Sequence, residues 1–386
     1  MVAAPAPPAP PAPPASEPGV SFAAEARSLF RIAACGSETE VDARIAKAVA
    51  GHCRSISKRM AEFRARYFEG GRPFFDALVP DDAPRVVVYP FGGGDLISAL
   101  VAFPDATEIT TISLELAGDP RRIDKLSPKQ LAGSLGALRV EIGGLLAVGS
   151  NTSENLQAGQ RNDLPGQVSS FLMGLAAGGY EPVDMRFFRL GPDGAVQYLE
   201  QAEIDAIEAA GRQGKARSRK GDWTSPNFSE AFANVEIRYR KVGDDQIRVH
   251  RHLGWNLADK ALVEHPELLR HLEAKGKVTI LTKGASYLLW RGDFSTVRNY
   301  MLGHLAWMLS DSTGIPPVHA RKAGMVQDTY GRYDGAFLEG AEASGKRHSD
   351  DFRALWQKNK YRKLPFRFGY VDAIGQPHLV VTRPAK

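Results

Sequence analysis

Cysteine is scarce in this sequence, which has only Cys35 and Cys53 in 386 residues. That excludes a fold held by a disulfide framework and any cysteine-only zinc site. Long apolar runs are missing as well. No stretch reaches the ~18 apolar residues that a membrane-spanning helix needs. Charge of one sign barely prevails: a net +5 over this length is no nucleic-acid footprint by itself. No internal repeat occurs, and there is no His-Glu-x-x-His. What remains is 43% hydrophobic and 24% charged, enough for one large or two ordinary globular domains.

The charge that exists is unevenly spread. From Ser344 onward ten Lys/Arg face three acids, Asp350, Asp351 and Asp372, so this stretch carries the positive excess. Trp356, Tyr361, Phe366 and Phe368 interleave these basic residues, without an RNA-binding signature around them. A second basic knot runs from Arg212 through Lys215, Arg217 and Arg219 to Lys220. Both predict solvated surface, with contact to an anionic partner (envelope lipid, a phosphorylated ligand or nucleic acid) as the functional reading.

Residues 1–20 are an Ala/Pro-rich tether, with eight of the 25 prolines before residue 19. Such a run favours extended backbone and adds nothing to a core. No basic stretch followed by an apolar one opens the sequence, yet tethers of this kind follow removed signal or lipid-anchor segments in bacterial envelope proteins. Export to the periplasm or envelope is therefore expected. Residues 21–75 read as an N-terminal helical segment, ended by Gly70-Gly71 and Pro73. Cys35 and Cys53 lie within it, bonded in an oxidising compartment and free in a reducing one.

Residues 80–386 read as a Rossmann-like α/β domain with antiparallel hairpin additions. Arg85–Phe91 is a β-branched strand, Gly92–Asp95 a turn, Leu96–Phe103 a helix and Glu108–Glu115 a second strand. Together they make a βαβ unit. Ser127, Pro128 and Gln130 then form a capping box opening a helix with Leu131, Leu135 and Leu138 on one face. Two hairpins are predicted around Gly191–Gly194 and Gly243–Asp245. Lys277–Lys283 is another strand, followed by a helix capped near Asp293 with Val297, Met301, Leu305 and Met308 on its apolar face. A final hairpin pairs Arg367–Val371 with His378–Thr382.

The glycine turn carries the chemistry. A strand ending in glycines before a helix lets backbone N–H groups approach a ligand. Glu115 ends the next strand, 23 residues after Gly92, where such folds hold ribose hydroxyls. Gly92, Gly93, Gly94, Asp95 and Glu115 are the binding candidates. Lys283, Tyr287 and Asp311 are the catalytic candidates, with Ser286 and Arg298 for substrate; all would meet at the glycine turn if the strands are adjacent. His250 and His252 share one strand face beside Arg248 and Arg251 and are expected to be solvated. They have no third ligand at fixed spacing, so no metal site is expected.

Residues 85–116 resemble the first half of a class I S-adenosylmethionine-dependent methyltransferase domain, although Pro90 and three consecutive glycines depart from its pattern. The resemblance implies a cytoplasmic enzyme holding S-adenosylmethionine at Gly92–Gly94 and Glu115. A wider stretch looks like an uncharacterised family of exported bacterial proteins and lipoproteins with a Tyr-Pro-Phe-x-Gly-x-Asp segment. Val88–Asp95, Leu281–Leu289, Asp293–Arg298 and Asp311–Pro316 carry that likeness. It implies export and no particular activity. The leading expectation is an envelope-associated protein binding a small polar or anionic ligand at Gly92–Asp95; the alternative is the methyltransferase.

Overall fold

A computed structural model of the chain describes residues 18–36, 41–148, 164–213, 229–335, 343–369 and 375–385. The tether before residue 18 and the basic knot from 214 to 220 lie outside the described residues. The chain forms a ten-stranded sheet: β1 (Val86–Pro90), β2 (Glu108–Ser113), β3 (Tyr180–Leu190), β4 (Val196–Tyr198), β5 (Asn234–Lys241), β6 (Arg248–Gly254), β7 (Val278–Thr282), β8 (Leu305–Ser310), β9 (Met325–Gly331) and β10 (His378–Pro384). Its order is β4-β3-β5-β6-β2-β1-β7-β8-β10-β9. The five central strands from β6 to β8 are parallel, and the flanking strands add antiparallel pairs. This is the Rossmann-like α/β arrangement.

Chain order explains where a ligand would go. From β1 the chain places β2 and then β6 on one side, and later β7 and β8 on the other. The reversal at β1 makes a crevice past the carboxyl ends of the strands. The β1–β7 register ends at Val88–Ile280, while β1 continues to Pro90.

Helices cover both faces. The N-terminal segment forms helices Ala23–Ile32, Ala43–Phe63 and Arg72–Leu78 with a π-helical turn at Arg64–Glu69. Leu29, Ile56, Phe63 and Phe75 join one core with Val87, Tyr89 and Ile109 of the sheet. Cys35 and Cys53 are disulfide-bonded, with Cα atoms 5.7 Å apart, tying the first helix to the second. The helix Pro128–Val148 opens with both arms of its capping box. Ser127 Oγ accepts from the Gln130 N–H at 3.3 Å, and Gln130 Oε1 accepts from the Ser127 N–H at 3.1 Å. On the opposite face Ile112, Ile280 and Met308 pack with Leu289, Val297 and Met301.

Three elements differ from the sequence reading. The helix bearing Val297 and Met301 stops at His304, and Leu305 and Met308 belong to β8. A short apolar run fits either period, and pairing with β7 and β10 decides for the strand. The N-terminus of that helix is capped by Asp259 rather than Asp293: its carboxylate accepts from the Ser295 and Thr296 N–H groups at 3.2 and 2.8 Å. Asp293 pairs with Arg291 instead. Finally, β10 forms no hairpin with Arg367–Gly369. It lies antiparallel between β8 and β9, while residues 370–374 of the expected first arm lie outside the described residues.

Candidate functional site

The carboxyl edge of the sheet divides into two halves about the glycine turn. One half, over β7 and β8, is filled. Asp95 is buried and turned inward, its Oδ1 accepting from the Ser98 N–H at 3.3 Å to cap the helix Leu96–Ala102. Its Oδ2 accepts from the Tyr89 hydroxyl at 2.9 Å and lies 2.9 Å from Lys283 Nζ in an ion pair buried on both sides. Lys283 also stands 4.9 Å from the centre of the Phe368 ring. Next to it Asp311, fully buried, accepts from the Gly284 N–H at 3.1 Å and the Thr313 N–H at 2.9 Å. Ser286 and Thr313 share a hydroxyl–hydroxyl bond of 2.6 Å.

So Asp95, Lys283, Ser286 and Asp311 do come together, but inside the protein. Phe368 lies over Lys283, and Phe366 and Phe368 pack on Phe75 at 5.4 and 5.3 Å. A Cβ on Gly369 would meet Asp311 Oδ2 at 2.7 Å, so the chain itself closes this half. Arg298 stands apart, donating from its buried Nη1 to the carbonyls of Leu289 and Arg291 at 2.6 and 3.0 Å, where it fixes the turn after β7. Tyr287 lies on the outer side of that turn, 36% exposed.

The other half, over β1, β2 and β6, is open. A cleft of about 110 Å³ is lined by Phe91, Gly92, Gly93, Ser113, Glu115 and Trp255, together with Ala285, Leu288 and Phe294. Gly94 faces away from it, beneath Gln167 and Ser170 of the helix Gly166–Gly178: a Cβ there would meet Gln167 Oε1 at 2.8 Å. The Gly92 N–H is already used, donating to the Ile112 carbonyl at 3.1 Å. Phe91 has φ of +62°, a left-handed conformation that costs a non-glycine residue of order 1–3 kcal/mol. Its ring reaches Phe294 with centroids 6.0 Å apart.

Glu115 is the titratable group of the cleft. It is 4% exposed, and burial raises its carboxyl above the usual range. No ion pair reaches it among the described residues. Behind it runs a buried relay on β2 and β6. The His252 Nε2–H donates to the Glu115 carbonyl at 2.8 Å, which leaves Nδ1 to accept from the Thr111 hydroxyl at 3.0 Å. The Thr111 oxygen then accepts from His250 Nε2 at 3.0 Å. Phe171 packs on both rings, at 4.4 and 5.1 Å. Burial pushes His252 down to about 4 and His250 well below its ordinary range, so both are neutral at physiological pH. The expected solvated face is thus interior, because the helix Gly166–Gly178 covers it.

Sequence reasoning located Gly92, Gly93 and Glu115 but missed Phe91, Ser113, Trp255 and Phe294. Trp255 directly follows β6, and only the pairing of β6 with β2 brings it beside Glu115. No metal-binding cluster of His, Cys, Asp and Glu occurs among the described residues, and no helix there is long and apolar enough to cross a membrane. No protein-family model, curated protein or solved structure matches the chain.

Proposed function

We propose that this is an exported, envelope-associated protein that binds a small polar ligand in the cleft between the glycine turn and Glu115. The observation that carries the reading is the cleft itself, a site at the carboxyl ends of parallel strands holding one buried carboxyl group. Export is supported by the Cys35–Cys53 disulfide, a bond that persists in oxidising compartments. Part of the basic stretch after Ser344 is paired within the chain. Arg362 and Arg383 both pair with Asp328, and Arg353 pairs with Asp350.

The strand order, the glycine turn and a buried acid after β2 also favour a second reading, the methyltransferase. Size favours the first reading. At about 110 Å³ the cleft lies below the roughly 300–1,000 Å³ of sites for nucleoside-sized ligands. Thermal unfolding of the chain with choline, glycerol, acetate and S-adenosylhomocysteine, repeated on Ala285→Trp to fill the cleft, tests the assignment. A ligand at about 100 times its Kd adds roughly 2.7 kcal/mol. A small probe should raise the midpoint in the parent and lose its effect in Ala285→Trp, while S-adenosylhomocysteine does nothing. A shift with S-adenosylhomocysteine alone that Glu115→Ala abolishes would make the protein a methyltransferase.

A further inference from the structure

The cleft has a specific chemical asymmetry. Asp95 and Glu115 are both buried carboxylates at the carboxyl edge, following β1 and β2 respectively. Asp95 has its cation in Lys283. Glu115 has none among the described residues, although it lines a cleft open to solvent. A buried carboxylate without a counter-charge is costly, and a bound cation relieves that cost. The walls around it are aromatic and apolar: Phe91, Phe294, Trp255 and Leu288. Aromatic faces attract cations, and alkylated ammonium groups most effectively, because those are weakly hydrated and need few hydrogen-bond acceptors. Ser113, also in the lining, stands beside the Glu115 carboxyl group and its side chain donates to it.

We infer that the cleft binds a small alkylated ammonium cation, its charge against the Glu115 carboxylate and its methyl groups against Phe91, Trp255 and Phe294. The inference rests on the proposed ligand-binding role of the cleft and narrows it to one charge type. An anion is disfavoured, because it would face Glu115 while the Gly92 N–H is engaged by Ile112. A bulkier cation is disfavoured by the volume.

Isothermal titration of the full chain with choline and tetramethylammonium tests this, with glycerol and acetate as neutral and anionic controls. Choline should bind, and Glu115→Gln should weaken it at least about tenfold. Trp255→Ala should weaken it roughly three- to thirtyfold, the range for a desolvated cation–π contact. Glu115→Gln keeps the shape of the side chain, and circular dichroism checks that it folds. If it does not fold, Ala285→Trp takes its place by blocking the cleft. Equal choline affinity in the parent and a folded Glu115→Gln overturns the inference, as does no choline binding by the parent. If glycerol or acetate binds instead, and Ala285→Trp abolishes that binding, the cleft remains a ligand site and only the cationic assignment fails.

Discussion

The two halves of the carboxyl edge start from the same glycine turn and end differently. Over β7 and β8, the buried carboxylates have partners inside the chain: Asp95 has Lys283, Tyr89 and the Ser98 N–H, and Asp311 has Gly284 and Thr313. Over β1, β2 and β6, Glu115 faces a cleft without a cation among the described residues. The halves hold similar residue types, so residue type alone does not make a site. What separates them is whether the chain neutralises its own buried charge. Where it does, the crevice becomes part of the core, and where it does not, a place is left for something else.

Removing the internal cation should break the contrast most sharply. Lys283→Met leaves Asp95 buried without its partner and should cost about 3–5 kcal/mol in urea unfolding. The double variant Lys283→Met/Asp95→Asn should recover much of that loss. A single-variant cost below about 1 kcal/mol would mean the filled half is not held by its ion pair.

Acid should act through the relay behind the open half. His252 is held at about 4 when folded against an ordinary value of 6.5, so the unfolded chain takes up the proton first as pH falls. Its contribution is fully present above about pH 6.5 and is lost as pH drops toward 4, amounting to roughly 3 kcal/mol. Unfolding midpoints measured from pH 7.5 to 4 should fall through this window. A flat profile would place the ring in solvent.

Gly94 joins the halves, and Gly94→Ala should cost about 1–3 kcal/mol because its new methyl meets Gln167 and Ser170 within 3 Å. The smallest effect has the opposite sign. Burial raises the Glu115 carboxyl, so between its unfolded and folded values the folded chain binds the extra proton and stability declines as pH rises. Glu115→Gln removes that decline and should stabilise the protein at neutral pH by roughly 1 kcal/mol. A loss of stability there would mean that the hydrogen bonds the carboxyl takes from Ser113 and its own backbone outweigh the cost of its burial.

Much of the architecture is legible in the sequence because its signals are local. The β1–turn–β2 unit, the capping box at Ser127 and both early hairpins follow from periodicity and turn chemistry within a few residues. Strand order is not local. Nothing near Trp255 says that β6 lies beside β2, and nothing near His250 says that the helix Gly166–Gly178 will cover it. Leu305 and Met308 continued a helical spacing that only the neighbours of β8 overrule. Glu115 and the glycines were found because a strand end followed by a turn is itself a local pattern. The aromatic walls were missed because they arrive from three distant segments.

β10 joins β9 to the rest of the sheet. It sits between β8 and β9, antiparallel to each, and those two strands make no ladder with one another. Both are synthesised earlier, and both wait for a strand that comes more than forty residues after β9. Until it arrives, one side of the sheet presents open edges and Val380 is missing from its aromatic cluster. Such an arrangement postpones closure of the sheet until its last strand is in place, and under the export proposed above that closure would come late in transit.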